Sequence, residues 1–177
     1  MNRISREAID NILSRRSLRR FDPSVKVDNA SLKTILECAC AAPSANNYHP
    51  WHFVVVDSRE TLDSMADLHP YGKMLKTAAL AIVVCSETER EDKVLRYWEE
   101  DCSAAMQNIL LSANALGFGS VWLGAKRGDN DLEGRLKSLL NVPAGIALMG
   151  IAAIGRALET KDPHKGIDPH SLHSNKW

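Results

Sequence analysis

The sequence predicts an α+β fold. Two segments, 80–85 and 146–154, are almost continuously apolar, as expected of strands that are covered on both faces. The predicted helices and strands do not alternate in the strict order of a doubly wound fold. No repeat, linker or low-complexity stretch divides the 177 residues. We therefore expect one domain that spans residues 1–177.

Helical periodicity is present in four segments, of which the first two lie near the N-terminus. In the first, apolar residues recur at the spacing of a helical face: Ile4, Ala8, Ile12 and Leu13. The second predicted helix begins at a cap supplied by Asp28 or Ser31 and ends at Pro43. Its apolar face consists of Leu32, Ile35, Leu36 and Ala39.

The third predicted helix is the longest and runs from about Glu91 to Leu116. Its later part is apolar nearly all round, which predicts a place in the centre of the fold or at a subunit interface. Gly117 follows as a stop signal. A fourth helix is predicted from about Asp131 to Leu140. Strands are predicted at 52–56, 80–85, 120–123 and 146–154.

Composition excludes several functional classes. Lys+Arg and Asp+Glu are both 22, so net charge provides no general attraction to nucleic acid or to an anionic membrane. No apolar run is long enough to predict a membrane span. The N-terminal segment is rich in arginine, but Glu7 and Asp10 argue against a targeting peptide. We therefore expect a cytoplasmic protein without nucleic-acid or membrane partners.

The cysteines and histidines predict neither a disulfide framework nor a metal site. The four cysteines contain no CxxC pair and are interpreted as buried free thiols of a reducing compartment: Cys38, Cys40, Cys85 and Cys102. The six histidines show no HExxH motif or paired metal-ligand spacing. No nucleophile motif is present either. This absence favours a borrowed reagent, namely a cofactor.

A basic cluster lies at the end of the first predicted helix, in the segment "RRSLRRFD". It combines one serine, Ser17, with four arginines: Arg15, Arg16, Arg19 and Arg20. Arginine and serine side chains supply the directional, charge-assisted donors that a phosphate ester requires. A solvated basic helix end is the alternative, and on this segment alone it is the better interpretation.

Two further segments contain unusual turns. "GFGSVWLG" follows a helix and leads into a strand, the reverse of a dinucleotide-binding turn. Its last residue, Gly124, could let a planar ligand approach the backbone, or could simply belong to a tight strand entry. "APSANNYHPWHFVVV" places two asparagines, a tyrosine, a histidine and a tryptophan before a strand. A plain hairpin does not need that set.

Together these motifs resemble the nitroreductase-like family of FMN-dependent oxidoreductases over almost the whole chain. "RRSLRRFD" comes first, and "APSANNYHPWHFVVV" is similar to the family's Ala-Pro-Ser-x-x-Asn-x-Gln-Pro-Trp turn. "DCSAAMQNILLSANALGFGSVWLG" resembles the family's central helix and glycine turn, and "HSNKW" its C-terminal ending. The resemblance implies a nitroreductase-like fold, with a central, mostly antiparallel sheet flanked by helices, in an intertwined homodimer with FMN at the subunit interface.

The resemblance also implies roles for residues at the phosphate end of the cofactor. Arg15, Ser17 and Arg19 are expected to hold the FMN phosphate, with Arg16 alongside the flavin or its chain. Many family members have a phosphate-binding arginine in the tail, where this sequence reads "PHKGID". Lys165 or His164 could substitute, although lysine offers a point charge without the guanidinium fork.

At the ring end, the resemblance implies contacts from both subunits. The turn residues Pro43, Ser44 and Asn47 are expected to reach across the interface to the isoalloxazine and ribityl chain. Gly124 is expected to direct its N–H towards the flavin N5, with Ala125 next to it. Among the remaining expected contacts are Lys73, at the pyrimidine edge, and His49, which replaces the glutamine common in the family.

The implied activity is transfer of two electrons from NADH or NADPH to a small acceptor, a nitroaromatic, quinone or similar molecule, by a ping-pong mechanism. Other family tasks are alternatives: enone reduction, dehalogenation or flavin breakdown. A non-catalytic flavin-binding storage or sensing protein is the alternative outside enzymes. The sequence does not distinguish NADH from NADPH or identify the physiological acceptor.

Overall fold

A computed structural model describes residues 6–125 and 131–177. Ile4 of the predicted apolar stripe lies outside the described residues. The described helices are α1 Arg6–Ser14, α2 Asn29–Cys40, α3 Arg59–Leu68, α4 Trp98–Ala115 and α5 Leu132–Leu140. The strands are β1 Phe21–Asp22, β2 Trp51–Val56, β3 Leu80–Glu87, β4 Glu89–Arg90, β5 Lys93–Val94, β6 Gly119–Gly124 and β7 Ile146–Ala157.

Five of these strands form one antiparallel sheet. β2 pairs with β3, and β3 pairs with one side of β7. The other side of β7 pairs with β6 over residues 150–155, and β1 pairs with β7 at residues 156 and 157. β2 and β6 therefore lie on opposite edges of the sheet, with β3 and β7 between them. The predicted antiparallel sheet flanked by helices is confirmed.

Helices cover both faces of the sheet, as the continuous apolar run in β3 predicts. Its odd-numbered residues, 81, 83 and 85, pack in one core with residues of α3 and α5. Its even-numbered residues, 80, 82 and 84, pack in a second core with residues of α2 and α4. In a strand with alternating polar residues, the polar side chains would all point into one of these two cores.

Two helix predictions are wrong. Helix α3 was not predicted, although Ser58 caps its N-terminus and its apolar residues Leu62 and Met65 are buried. The central helix begins at Trp98 rather than near Glu91. The preceding residues form the short β4–β5 hairpin, because Glu91 and Asp92 adopt left-handed backbone conformations with φ of 51° and 61°.

The cysteines differ partly from the prediction. Cys85 and Cys102 are buried, and burial raises the pKa of Cys85 to about 12 and that of Cys102 to about 11. Cys38 is half-buried, and Cys40 is exposed. The prediction that all four thiols are buried is therefore wrong. Within the described ranges, the structure contains no helix long and apolar enough to cross a membrane.

After β7 the chain runs back along the N-terminal segment and then leaves it. Leu158 N donates to Arg20 O at 2.8 Å, and His164 N donates to Leu13 O at 3.1 Å. From residue 160 onwards every side chain is exposed. At the end, the rings of His173 and Trp177 stack with centroids 4.2 Å apart. This tail therefore packs on the body only at its root.

Candidate functional site

The basic segment at the end of α1 lies against the edge strand β6. Ser17 forms an isolated parallel bridge with Ser120, and Leu18 N donates to Ser120 O at 3.0 Å. The segment also receives the root of the tail, because Lys161 Nζ donates to Ser17 O at 2.7 Å. These bonds hold residues 15–18 beside the first half of β6.

Arg15 carries an unsatisfied donor at this place. Its Nε is buried and has no hydrogen-bond partner among the described residues. A buried polar group without a partner costs about 1–3 kcal/mol, and more when the group is charged. An anion with several acceptor oxygens, such as a phosphate ester, would remove that cost. The residues present therefore fit a phosphate group.

The other predicted phosphate residues have different surroundings. The Arg16 guanidinium donates to the backbone oxygen of Asp162 and so holds the tail. The Arg19 side chain is exposed, while its backbone N–H donates to the carboxylate of Glu159. That bond is the main cause of the lowered pKa of Glu159. Lys165 is exposed and follows His164, which is bonded to the last turn of α1.

Gly124, at the other end of β6, presents its backbone to the open edge of the sheet. The Ser120 carbonyl points away from β7, towards Leu18. Because alternate residues of a strand have the same orientation, the N–H and C=O of Gly124 face that edge as well. The Gly124 carbonyl accepts from His69 Nε2 at 2.7 Å, as this orientation requires.

The space beside Gly124 is open. A Cβ built on this glycine would meet no atom within 4 Å. Gly124 is four residues from Ser120, a distance of about 13 Å along a strand. The edge of β6 therefore presents a cation at one end and an accessible N–H at the other. That arrangement suits an elongated ligand with an anionic group and a flat ring.

The two other predicted residues near Gly124 differ in accessibility. Ala125 is fully buried in the core, so only its backbone can face a ligand. Lys73 is exposed at the start of the helical turn Lys73–Lys76. His69 connects the preceding loop to Gly124 and so places Lys73 on the same edge.

The turn before β2 has an unusual backbone. Asn46, Asn47 and His49 adopt left-handed conformations with φ of 51°, 57° and 46°. Two of its backbone N–H groups donate to side chains: Ala45 N donates to Asp101 Oδ1 at 2.8 Å, and His49 N donates to Ser44 Oγ at 3.0 Å. Asparagine is one of the few residue types that adopt this conformation readily, which accounts for the pair in the sequence.

A salt-bridged group supports the far side of the turn. Arg90 Nη1 donates to Tyr48 O at 2.8 Å, and Arg90 Nε donates to Glu87 Oε2 at 2.8 Å. The bond from Arg90 is the main reason that the pKa of Glu87 is lowered. The His49 ring stacks on Trp51 with centroids 5.2 Å apart. Pro43, Asn47 and His49 remain exposed, and Ser44 is half-buried.

The predicted residues therefore form two groups within one chain. The first lies on the β6 edge and on the neighbouring segments, which are the end of α1, the root of the tail and the loop after His69: Arg15, Arg16, Ser17, Arg19, Lys73, Gly124, Ala125 and Lys165. The second is the turn before β2: Pro43, Ser44, Asn47 and His49. Three strand spacings, about 14 Å, separate β2 from β6. Among the described residues, no hydrogen bond joins the turn to the β6 edge.

The sequence does not predict the supporting roles of three residues: His69, Arg90 and Asp101. His69 was considered only as a possible metal ligand, and no motif marks its bond to Gly124. Asp101 is one of three acidic residues in the first turn of α4. Carboxylates are common at this position because they interact favourably with the helix dipole. Only its low exposure, 7%, distinguishes it from its neighbours, and that requires the structure.

Comparisons with known proteins identify the family of this chain. The chain matches the Nitroreductase family over residues 12–70 and 66–156. A relative from Archaeoglobus fulgidus, named as a candidate NADH dehydrogenase/NAD(P)H nitroreductase, is 37% identical over 97% of this chain and 99% of its own length. The chain belongs to the nitroreductase family.

Solved structures show the same fold. A candidate NADH dehydrogenase/NAD(P)H nitroreductase from Bacteroides thetaiotaomicron superposes with a TM-score of 0.88, at 36% identity, over 96% of this chain and 98% of its own. An FMN-dependent nitroreductase from Clostridium difficile superposes with a TM-score of 0.88, at 32% identity, over 96% of this chain and 99% of its own.

Proposed function

We propose that this chain is an FMN-dependent oxidoreductase that takes two electrons from NADH or NADPH and gives them to a small acceptor. A nitroaromatic or a quinone has the required chemistry. The observation that carries the proposal is the unsatisfied Arg15 Nε on the same sheet edge as the open backbone of Gly124. Membership of the nitroreductase family and the FMN-dependent relative from Clostridium difficile support it.

Different residues of the β6 edge bind the two ends of FMN, which are its phosphate and its ring. Arg15, Ser17 and Arg19 hold the phosphate, with Lys165 adding positive charge from the tail. Arg16 contributes indirectly, since its guanidinium holds the tail through Asp162 O.

At the ring end, Gly124 would offer its N–H to the flavin N5. Lys73 faces the pyrimidine edge of the ring. Ala125 contributes its backbone alone, because its side chain is buried.

FMN, when bound, supplies the two-electron chemistry that connects a nicotinamide donor to the acceptor. The protein residues would bind the cofactor and orient it, with open space beside Gly124 for a substrate. Gly124 has no side chain, so a substrate has room beside the N–H. This open space would let a nicotinamide donor and an acceptor reach the bound cofactor one after the other, as a ping-pong mechanism requires. The protons of the reduced acceptor would come from the flavin N5 or from water.

The site is completed by a second copy of the chain. Since about 14 Å of sheet separates the turn before β2 from the β6 edge, we infer that the turn covers the cofactor of the partner subunit. Pro43, Ser44 and Asn47 then contact the ring and ribityl chain, and His49 lies close to the substrate.

Exposed apolar surface supports the homodimer. Ile9, Ile12 and Leu13 of α1 are 46–54% exposed. An apolar groove of about 400 Å³ lies between α1, α2 and α4, lined by Leu111 and Leu116 among others. Sedimentation should therefore give a stable dimer, with an interface above roughly 2,000 Å². A monomer that retains FMN would contradict the shared site.

The whole chain, residues 1–177, forms the single FMN-binding domain of this proposal. A cytoplasmic location is part of it, since the exposed thiol of Cys40 suits a reducing compartment.

Absorption spectroscopy of the purified protein tests the function. Flavin released by heat should elute as FMN on chromatography, and NADH or NADPH should bleach the bound flavin in the absence of oxygen. Initial rates with a quinone or nitroaromatic acceptor should give parallel lines in double-reciprocal plots. FAD, or no flavin in a folded sample, would refute the cofactor. Bound FMN that neither nicotinamide donor reduces would instead indicate a carrier or a flavin-breakdown enzyme.

A further inference from the structure

We propose that His69 is a positioning residue of the cofactor site. Its neutral imidazole holds the loop that carries Tyr71 and Lys73 in a fixed place beside Gly124. This inference rests on the proposed binding of FMN at the β6 edge and identifies what sets the geometry of its ring end.

The hydrogen bonds of His69 define its tautomer. Nε2 lies 2.7 Å from Gly124 O, and Tyr71 N lies 3.1 Å from Nδ1. A carbonyl oxygen only accepts and a backbone N–H only donates, so Nε2 carries the proton and Nδ1 the lone pair. Both ring nitrogens are thus used by backbone groups. With 6% of its surface exposed, His69 has little access to water that could replace these bonds.

The loop after His69 is folded tightly against this residue. Gly72 N donates to His69 O at 2.9 Å. A Cβ on Gly72 would lie 2.8 Å from His69 Cβ and 3.3 Å from Ala66 Cα. The chain therefore folds directly over His69. The base of the residue is fixed by its N–H, which donates to Met65 O at the end of α3. Its imidazole is fixed by β6.

The consequence concerns the ring end of the site. Tyr71 is 77% exposed, and its ring lies edge-on to the His69 ring with centroids 6.4 Å apart. Lys73 is exposed on the same loop. Among the described residues, the hydrogen bond from His69 Nε2 to Gly124 O joins this loop to the end of β6. Losing it should change the spacing between the Gly124 N–H and these side chains, and leave the phosphate end unchanged.

Two substitutions separate the two bonds of His69. In His69→Gln, the amide nitrogen can reach the position of Nε2 and donate to Gly124 O. In His69→Asn, the amide oxygen can occupy the position of Nδ1 and accept from Tyr71 N. His69→Leu retains neither bond. Glu133→Ala is a matched control, because Glu133 Oε1 accepts from Leu148 N at 3.0 Å in the same half of the protein.

The experiment measures the dissociation constants of FMN and riboflavin for each apoprotein, with amide hydrogen exchange at Tyr71 and the thermal midpoint. We expect His69→Gln to bind both flavins within about threefold of wild type. His69→Asn and His69→Leu should bind both at least tenfold more weakly. Exchange at Tyr71 should be slow in wild type and His69→Asn, and faster in His69→Gln. Glu133→Ala should lower the thermal midpoint without changing either dissociation constant.

Three outcomes overturn the proposal in distinguishable ways. If wild type binds FMN and His69→Asn binds flavin equally well, the role of His69 is refuted, but the proposed FMN site is not. Flavin affinity that follows the thermal midpoint in every variant, including Glu133→Ala, reduces His69 to a structural residue. A folded wild-type protein that binds no flavin refutes the proposed function and this inference with it. If His69→Leu does not fold, the comparison of His69→Gln with His69→Asn decides.

Discussion

Substitution of Arg15 by methionine tests the phosphate site most directly. Methionine retains an unbranched stem of similar size but has no donor. In wild type, Arg15 Nε is buried without a partner among the described residues, so the donor is already desolvated before a ligand arrives. A hydrogen bond to a charged group contributes about 1.5–3 kcal/mol. FMN should therefore bind Arg15→Met roughly 10- to 150-fold more weakly.

The assay is titration of the apoprotein with flavin, followed by the change in flavin fluorescence. Riboflavin lacks the phosphate, so its affinity should differ by less than about threefold between wild type and Arg15→Met. The apoprotein should have an equal or higher thermal midpoint, because the substitution removes a buried donor that costs about 1–3 kcal/mol when unpaired.

Two further variants calibrate the result. Arg20→Met removes an exposed arginine of the same cluster that is outside the expected phosphate set, and should change FMN affinity little. Lys165→Ala should weaken FMN binding less than Arg15→Met, since lysine is an exposed point charge. The reasoning is refuted if Arg15→Met loses affinity equally for FMN and riboflavin, or loses none for FMN.

Gly124→Val should keep the thermal midpoint, because its side chain enters open space, yet should slow reduction by NADH or NADPH; an unchanged rate would exclude Gly124 from the ring site. Asp101→Ala should weaken FMN binding by about 1.5–3 kcal/mol and Asp101→Asn by less, since asparagine still accepts from the turn; equal losses would contradict this. Thiol reagents should label Cys40 first, because it is exposed. The free energy of unfolding should fall above pH 9, because Cys85 and Cys102 have pKa values of about 12 and 11 when folded but ionise near 9.0 when unfolded. A free energy of unfolding that stays constant from pH 9 to 11 would contradict this.

The elements that could be predicted from the sequence are those in which the local pattern and the tertiary environment agree. β3 and β7 are apolar over most of their length because both of their faces are covered, and such runs are visible in the sequence. Helix α3 was missed because its apolar positions are fewer and are interrupted by charged residues that face water. The start of α4 was misplaced because left-handed turns at Glu91 and Asp92 have no glycine to mark them.

Among the predicted site residues, the sequence indicated side chains of ligand-binding type more readily than the residues that support them. Arginines, serine and the turn asparagines stand out by residue type. His69, Arg90 and Asp101 act through bonds to backbone atoms far away in the sequence, such as that between His69 and Gly124. Backbone groups are present at every position, so no residue pattern indicates which of them a side chain will meet.

The turn before β2 is preorganised within one chain, because hydrogen bonds compensate for its strained backbone. Three non-glycine residues in the left-handed region cost on the order of 1 kcal/mol each. The bond from Ala45 N to the Asp101 carboxylate contributes about 1.5–3 kcal/mol, and that from His49 N to Ser44 about 1 kcal/mol. These contributions approximately offset the strain, so the turn can keep its shape within one chain.

A turn that is ordered in advance loses little conformational entropy when it meets a ligand. In the dimer that we propose, the two loops that meet at the ring are therefore held separately, one by Asp101 and the other by His69. Each should then affect flavin affinity independently. In a double variant, the losses from Asp101→Ala and His69→Asn should add within about 0.5 kcal/mol, as expected for supports on opposite sides of one ligand.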